Sequence, residues 1–181
     1  GAGAWGTALS ISASRAGGRH AVQLWMRSAE QAQRLRAVRR NESYLPGTVL
    51  PPALDLRDGP LAGMVAGQDL VVVATPMAAL RGMLAALLPH PVPVVWLCKG
   101  FERPLAGGVG AMGHEIHAEL AAAHGGAVAP FGVLSGPSFA QEVAAGQPTA
   151  LVAASADAAL HDTMVQAFHG PALRVYASDD V

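Results

Sequence analysis

Three glycines open the sequence at the spacing G-x-G-x-x-G: Gly1, Gly3 and Gly6, within Gly1-Ala-Gly-Ala-Trp-Gly6. That spacing suits a dinucleotide. The first glycine allows a tight turn, the second lets the backbone approach a pyrophosphate, and the third packs a helix closely on a strand. The phosphates then meet a helix N-terminus, where unpaired N–H groups and the helix dipole favour an anion. In a chain with 21 glycines the spacing alone arises by chance as readily as by function, so the context decides. Thr7 to Ala16 continues as an unbroken run of small and apolar residues and Gly17-Gly18 ends it, which predicts a helix with a glycine stop. His20-Ala-Val-Gln-Leu-Trp25 then predicts a strand. An NAD-preferring site places Asp or Glu at the end of that strand, to bind the ribose hydroxyls. Here Leu24-Trp25-Met26-Arg27 carries no acid. Arg27 is the candidate partner of a 2'-phosphate or of the adenine face, against the plain reading of a solvated surface arginine, and NADPH is favoured over NADH.

Ligands of open α/β sheets lie beyond the carboxyl ends of the strands, so three further strand ends carry weight. Ala74-Thr75-Pro76 follows the apolar run from Asp69 and offers backbone to line a cofactor. Lys99-Gly100-Phe101-Glu102 follows the run ending at Leu97 and puts an ammonium at the mouth of the sheet. The other eleven of the 12 basic residues are arginine, so Lys99 is the only lysine, and it stands directly after a buried strand. Ser135-Gly136-Pro137-Ser138-Phe139 joins a tight turn, a proline suited to the first helical position and two hydroxyls, which either cap the helix or meet a ligand.

Other groupings read as structural. His114 and His117 are spaced for one helix face but have no third metal ligand near in sequence, and with Glu115 and Glu119 they predict a solvated face. Cys98 adjoins Lys99, without a histidine base in reach to make it a nucleophile. Asp179 and Asp180 stand as an acidic pair with nothing nearby for acid/base work. Trp5, Trp25 and Trp96 are expected to pack near strand ends instead of forming a platform for bases.

The elements that must position these residues alternate. Ser28, with Gln31 three residues on, resembles a capping box for a helix to about Arg40, and Asn41 to Pro52 is a loop. A weak strand is expected at Leu54–Leu56 and a helix from Asp58 as cap to Val65. Asp69–Ala74 is the clearest buried strand, and Pro76 starts a helix to Leu88. Strands at Pro93–Leu97, Phe131–Leu134, Thr149–Ala153 and Leu173–Tyr176 alternate with helices at about Gly107–His124, Pro137–Ala145 and Ala156–Phe168. The order predicts an α/β fold, a doubly wound sheet with parallel pairing and both faces covered. A Gly-rich turn of this kind should follow a strand, and none precedes Gly1, so residues 1–181 are expected to be an internal fragment whose opening strand is missing.

Composition narrows the function classes. The 181 residues are 51% hydrophobic and 14% charged, with 12 basic against 13 acidic side chains, enough for one domain with a sizeable core. Near-neutral charge and a pI of about 6.7 argue against nucleic acid as a partner. The longest stretch without a formal charge, Leu120 to Gln141, is broken by four glycines and two prolines, so membrane insertion is not expected. A lone Cys98 excludes an internal disulfide framework and fits a reducing, cytoplasmic compartment.

Several segments together resemble one family. They are Gly1-Ala-Gly-Ala-Trp-Gly-Thr-Ala-Leu9, Leu24-Trp25-x-Arg27, Asn41-x-x-Tyr44-Leu-Pro-Gly47, Cys98-Lys-Gly-Phe-Glu102, Leu134-Ser-Gly-Pro-Ser-Phe-Ala140 with Glu142, Gly146-x-Pro148-Thr149-Ala150, and Phe168-His-x-Pro171 through Arg174-Val-Tyr-x-Ser-Asp-Asp180. In this order they resemble bacterial NAD(P)-dependent glycerol-3-phosphate dehydrogenase over nearly the whole chain. The resemblance implies a Rossmann-type cofactor domain of an enzyme interconverting dihydroxyacetone phosphate and sn-glycerol 3-phosphate, a precursor for glycerophospholipids. It implies NADP or NAD as cofactor, lined by Gly1, Gly3, Ala4, Trp5, Gly6, Arg27, Lys99 and Ala140, and a substrate faced by Lys99, Gly136 and Ser138. It also implies a homodimer in the full-length enzyme. Ala4 stands where the family more often has Ser, which leaves only backbone to contact the phosphates there, and Phe101 stands where Leu is common. In the family the main proton-transferring lysine and the phosphate-binding Arg and Asn belong to a helical second domain, expected to follow this chain, so Lys99 takes a supporting catalytic role and the fragment alone is expected to be inactive. Two other readings stay open: another two-domain dehydrogenase of hydroxy or keto acids, and a nucleotide-sensing module without chemistry.

Overall fold

A computed structural model describes residues 1–15, 20–89, 91–104, 108–126 and 128–181, and these described residues form seven strands and seven α-helices. In chain order these are α1 (Ala4–Ser14), β1 (Gln23–Trp25), α2 (Ala29–Val38), β2 (Asp55–Arg57), α3 (Leu61–Val65) and β3 (Val71–Val73), then α4 (Leu80–Leu87), β4 (Val94–Trp96) and α5 (Gly113–Ala123). β5 (Phe131–Ser135), α6 (Ala140–Ala145), β6 (Thr149–Ala154), α7 (Ala158–Phe168) and β7 (Leu173–Ser178) complete it. The expected glycine stop at Gly17-Gly18 and the expected helix start at Gly107 lie outside the described residues.

Strands β3-β4-β5-β6-β7 form one sheet in that order, and β1 pairs with β2 in a separate parallel pair. Side chains of successive strand residues point to opposite faces, and each face has its own helices. On β4, Val94 and Trp96 join a core with Leu80, Leu84 and Ile116, whereas Val95 joins a second core with Ile11, Leu151 and Met164. Helices α3, α4 and α5 thus cover one face and α1, α6 and α7 the other, which is the doubly wound arrangement.

One pairing departs from expectation: β5 and β6 run antiparallel, with Leu134 opposite Ala153. A parallel return needs a helix long enough to carry the chain back along the strand. Helix α6 has only 6 residues, about 9 Å of rise, against the roughly 17 Å of the five-residue β5, so the chain turns back directly into β6.

Several helix starts also differ. Pro76 precedes a 3-10 turn at Met77–Ala79 before α4, and Pro137 lies ahead of α6 instead of within its first turn. Asp58 does not cap α3, which follows Pro60; its carboxylate pairs with Arg36. Ser28 Oγ does accept the Gln31 N–H at 3.2 Å, but the Gln31 side chain donates to Ala2 O, at 3.4 Å, so only half of the capping box forms.

β1 and β3 are not bonded to each other. Between them lies a cavity of about 710 Å3, walled by Gln23 and Trp25 of β1, Val72 of β3, Leu9 of α1 and Gly1.

Candidate functional site

The Gly-rich turn forms as its spacing implies. Gly3 is the N-cap of α1, and the Thr7 N–H donates to Gly3 O at 3.0 Å. A Cβ on Gly6 would lie 1.9 Å from Gly1 O and 3.4 Å from Ala74 Cβ, so only glycine lets the helix sit this close to the turn and to the end of β3. A Cβ on Gly3 would meet nothing within 4 Å, which leaves that backbone open to a ligand. Ala4 and Trp5 are the first residues of α1, whose unpaired N–H groups face that opening. Beside Gly1 stands Thr75; its Oγ1 is buried without a hydrogen-bond partner among the described residues. An open glycine backbone, a helix N-terminus and an orphaned hydroxyl are together the complement of an anionic dinucleotide, and the residues fit such a group. Arg27 lies just past β1, exposed and with no ion-pair partner among the described residues, while the adjoining Trp25 indole donates to Gly59 O at 3.0 Å.

The turn has a support that sequence reasoning did not assign. Asn41, 1% exposed, donates its amide N–H groups to Ala2 O at 3.0 Å and to Thr7 Oγ1 at 2.8 Å, tying the turn to the first turn of α1. The loop motif around Asn41 was visible in the sequence, but nothing in its spacing says that the side chain reaches back to residue 2.

A second group gathers at the ends of β4 and β5. Lys99 Nζ donates to Gly136 O at 2.7 Å, so these two expected site residues are in contact. Gly136 has no room for a side chain: a Cβ would lie 2.7 Å from Ala150 O. Ser138 Oγ donates to the same Ala150 O at 3.0 Å and caps no helix; Glu142 instead accepts the Phe139 N–H at 3.1 Å, at the start of α6. Ala140 is the first residue of α6 and is buried. The C-terminal ends of α1 and α6 are linked by Arg15 Nη1, which donates to Ala144 O at 2.7 Å. Lys99 and Ser138 are at least partly open to solvent, and Phe101 and Phe139 beside them are 63% and 67% exposed.

The remaining candidates separate cleanly. His117 is buried, not solvated: its ring lies 4.4 Å from that of Phe131 and 6.1 Å from Trp96, and burial holds its pKa below the ordinary histidine value. Among the described residues no group of His, Cys, Asp and Glu is placed to hold a metal. The Cys98 thiol is pushed up by burial, the opposite of a nucleophile's need. Of the tryptophans, Trp96 is buried in the core and stacks on Phe131 at 5.2 Å, and Trp5 packs against the α1 core. No helix among the described residues is long and apolar enough to cross a membrane.

Comparison with known proteins agrees with this geometry. The family model of the NAD-dependent glycerol-3-phosphate dehydrogenase N-terminus matches residues 1–161. A glycerol-3-phosphate dehydrogenase (NAD(P)+) of Acidovorax ebreus (strain TPSY) is 57% identical over 182 residues, which is 100% of this chain and 52% of that protein. One of Variovorax paradoxus (strain S110) is 57% identical over 188 residues, with the same shares covered. The crystal structure of glycerol-3-phosphate dehydrogenase from Coxiella burnetii superposes with a TM-score of 0.83 at 30% identity, covering 100% of this chain and 53% of that one. The chain therefore spans about half the length of the curated relatives it matches. A ketopantoate reductase from Ralstonia eutropha JMP134, at 19% identity and a TM-score of 0.59, shares the fold alone. With the Gly-rich turn, the Lys99–Gly136 contact and the match over residues 1–161 in agreement, the chain belongs to the NAD-dependent glycerol-3-phosphate dehydrogenase family, as its N-terminal part.

Proposed function

We propose that residues 1–181 are the cofactor-binding part of an sn-glycerol-3-phosphate dehydrogenase, NAD(P)-dependent, that interconverts dihydroxyacetone phosphate and sn-glycerol 3-phosphate in the cytoplasm and feeds glycerophospholipid synthesis. The observation that carries this reading is the Lys99 Nζ contact with Gly136 O, which sets the only lysine beside the Gly136–Ser138 turn in a chain wholly matched by such enzymes. The bound nicotinamide cofactor supplies the hydride. Gly3, Ala4 and Trp5 at the head of α1 would hold its pyrophosphate and Arg27 its 2'-phosphate or adenine, and Ala140 would line the cofactor. Lys99 orients the ketone together with Gly136 and Ser138 and stabilises negative charge as it develops on the carbonyl oxygen. The proton itself comes from a lysine of a helical second domain, and the full-length enzyme is a homodimer. The cavity between β1 and β3 would seat one more parallel strand that joins the two sheets.

The test uses the full-length enzyme, with NADPH oxidation followed on dihydroxyacetone phosphate and on small keto acids. Turnover on the phosphate and none on the keto acids is expected. Lys99→Ala should lower kcat by about 10²–10³, the loss typical of one preorganised charge-stabilising donor, with its unfolding temperature unchanged because the side chain is exposed. Wild-type kcat in Lys99→Ala would remove Lys99 from the site.

A further inference from the structure

Lys99 reaches the mouth of the sheet on a segment with no helix or strand of its own, from Leu97 to Pro104. Such a segment holds a charged side chain in place only if something else fixes it. At the lysine end, Gly100 takes φ +90, a turn that favours glycine. At the other end Glu102 is fixed twice. Its backbone N–H donates to Ala111 O at 2.8 Å, and a Cβ on Gly110 would lie 2.0 Å from Glu102 O, so the two backbones touch. Its carboxylate takes a fork from Arg81 of α4: Nε to Oε1 at 2.8 Å and Nη2 to Oε2 at 2.8 Å. The same guanidinium donates to Glu119 of α5 at 2.8 Å.

This differs from an ordinary surface ion pair. The Glu102 side chain is 17% exposed and that of Arg81 30%, whereas Glu119 is 59% exposed. A bidentate fork fixes direction as well as distance. The helices that carry it are anchored in the core by Leu80, Leu84 and Ile116. The pairing holds the Glu102 carboxyl below its usual range, so the fork keeps its charge in any neutral buffer.

We propose that Arg81 and Glu102 are a positioning clamp for Lys99: they touch neither substrate nor cofactor, and hold the Lys99–Glu102 segment so that the ammonium stands at Gly136. This rests on the reading that Lys99 faces the substrate, and two readouts keep the ideas apart. The first is turnover of the full-length enzyme on dihydroxyacetone phosphate. Glu102→Gln should lower kcat by about ten- to a hundredfold, as misplacement of a catalytic group does, while the Kd for NADPH moves less than threefold. Combined with Lys99→Ala, Glu102→Gln should change kcat less than twofold further, since the group it positions is gone. Arg81→Lys, which keeps the charge and loses the fork, should fall between wild type and Glu102→Gln, and it carries the same cycle should Glu102→Gln fail to fold. Glu119→Gln, outside the fork, should stay within twofold of wild type. The second readout is backbone order at Gly100 and Phe101 by 15N relaxation, expected to drop from about 0.85 towards 0.6 in Glu102→Gln whatever the reaction. Unchanged order at these amides, wild-type kcat in Glu102→Gln, or an equal loss with and without Lys99 overturns the clamp. A wild-type enzyme inactive on dihydroxyacetone phosphate, with order still lost in Glu102→Gln, overturns the assigned reaction and leaves the clamp standing.

Discussion

Asn41 is a buried polar residue at the Gly-rich turn, and Arg27 is an exposed one just past β1. Asn41 is buried, and both of its contacts go to the turn and the start of α1. Asn41→Ala leaves Ala2 O with only the 3.4 Å contact from Gln31 and leaves the Thr7 hydroxyl facing a void. A buried group stripped of its partner costs about 1–3 kcal/mol, so the urea midpoint should fall accordingly and NADPH affinity with it. An unchanged midpoint would mean that the turn holds itself. Arg27 is exposed and unpaired among the described residues, so its replacement should leave the midpoint alone and act on the ligand. Arg27→Ala should weaken NADPH by about 1.5–3 kcal/mol and NADH far less, because only NADPH offers a 2'-phosphate to a charged donor. Competitive titration of the two cofactors checks this; equal losses for both would leave the guanidinium stacking on adenine, not pairing with phosphate. The glycines and Lys99 were legible in the sequence because their chemistry depends on residue type and on place after a strand. Asn41 and the Arg81–Glu102 fork were not, because a side chain reaching across 39 or 21 residues leaves no local pattern.

At the scale of elements, every expected strand and helix exists, with ends shifted by a few residues and α5 beginning at Gly113. Apolar runs bounded by glycine and proline predicted them because the same burial that selects those residues builds the sheet faces. What misled was orientation and surroundings. Alternation implied an all-parallel sheet, but pairing direction is set by whether the connecting helix can span the strand, and α6 cannot. The spacing of His114 and His117 implied a wet helix face, but α5 rolls His117 inward against Trp96 and Phe131, and a Cβ on Gly113 would lie 2.6 Å from Trp96 Nε1, so the helix sits directly on the indole. Burial then lowers the His117 pKa from its usual value of about 6.5. Between the folded value and 6.5 the unfolded chain binds more protons than the folded one, so stability rises with pH there. The contribution is complete above about pH 6.5 and is lost as the pH falls through the folded value. The unfolding temperature should therefore drop as the pH falls below about 6.5, and His117→Leu should flatten that slope. An equal slope in the variant would place the acid sensitivity on another group.

For the molecule as a whole, the two sheets pose a question of backbone hydrogen bonding. In a parallel strand alternate residues bond to opposite neighbours. Met26 N–H donates to Arg57 O and Asp55 N–H to Val22 O, so β1 turns Leu24 towards β2 and Gln23 and Trp25 towards the cavity. Val71 N–H donates to Pro93 O and Val73 O accepts from Leu97, so β3 turns Val72 towards the same cavity from the other side. Two facing strand edges, walled by Leu9 of α1, make a slot for an extended apolar segment rather than for a helix. A strand seated there would pair with both edges and convert two sheets into one, with the strand order reversing at the Gly-rich turn, where a doubly wound fold binds its ligand. Amide hydrogen exchange on the full-length protein reads this directly. With the slot filled, the N–H groups of Gln23, Trp25 and Val72 should be protected to the same level as those of Leu24 and Val71, which already have partners across β2 and β4. Exchange at Gln23, Trp25 and Val72 that stays orders of magnitude faster than at their neighbours would show that no strand occupies the slot, and the joining of the sheets would have to be abandoned.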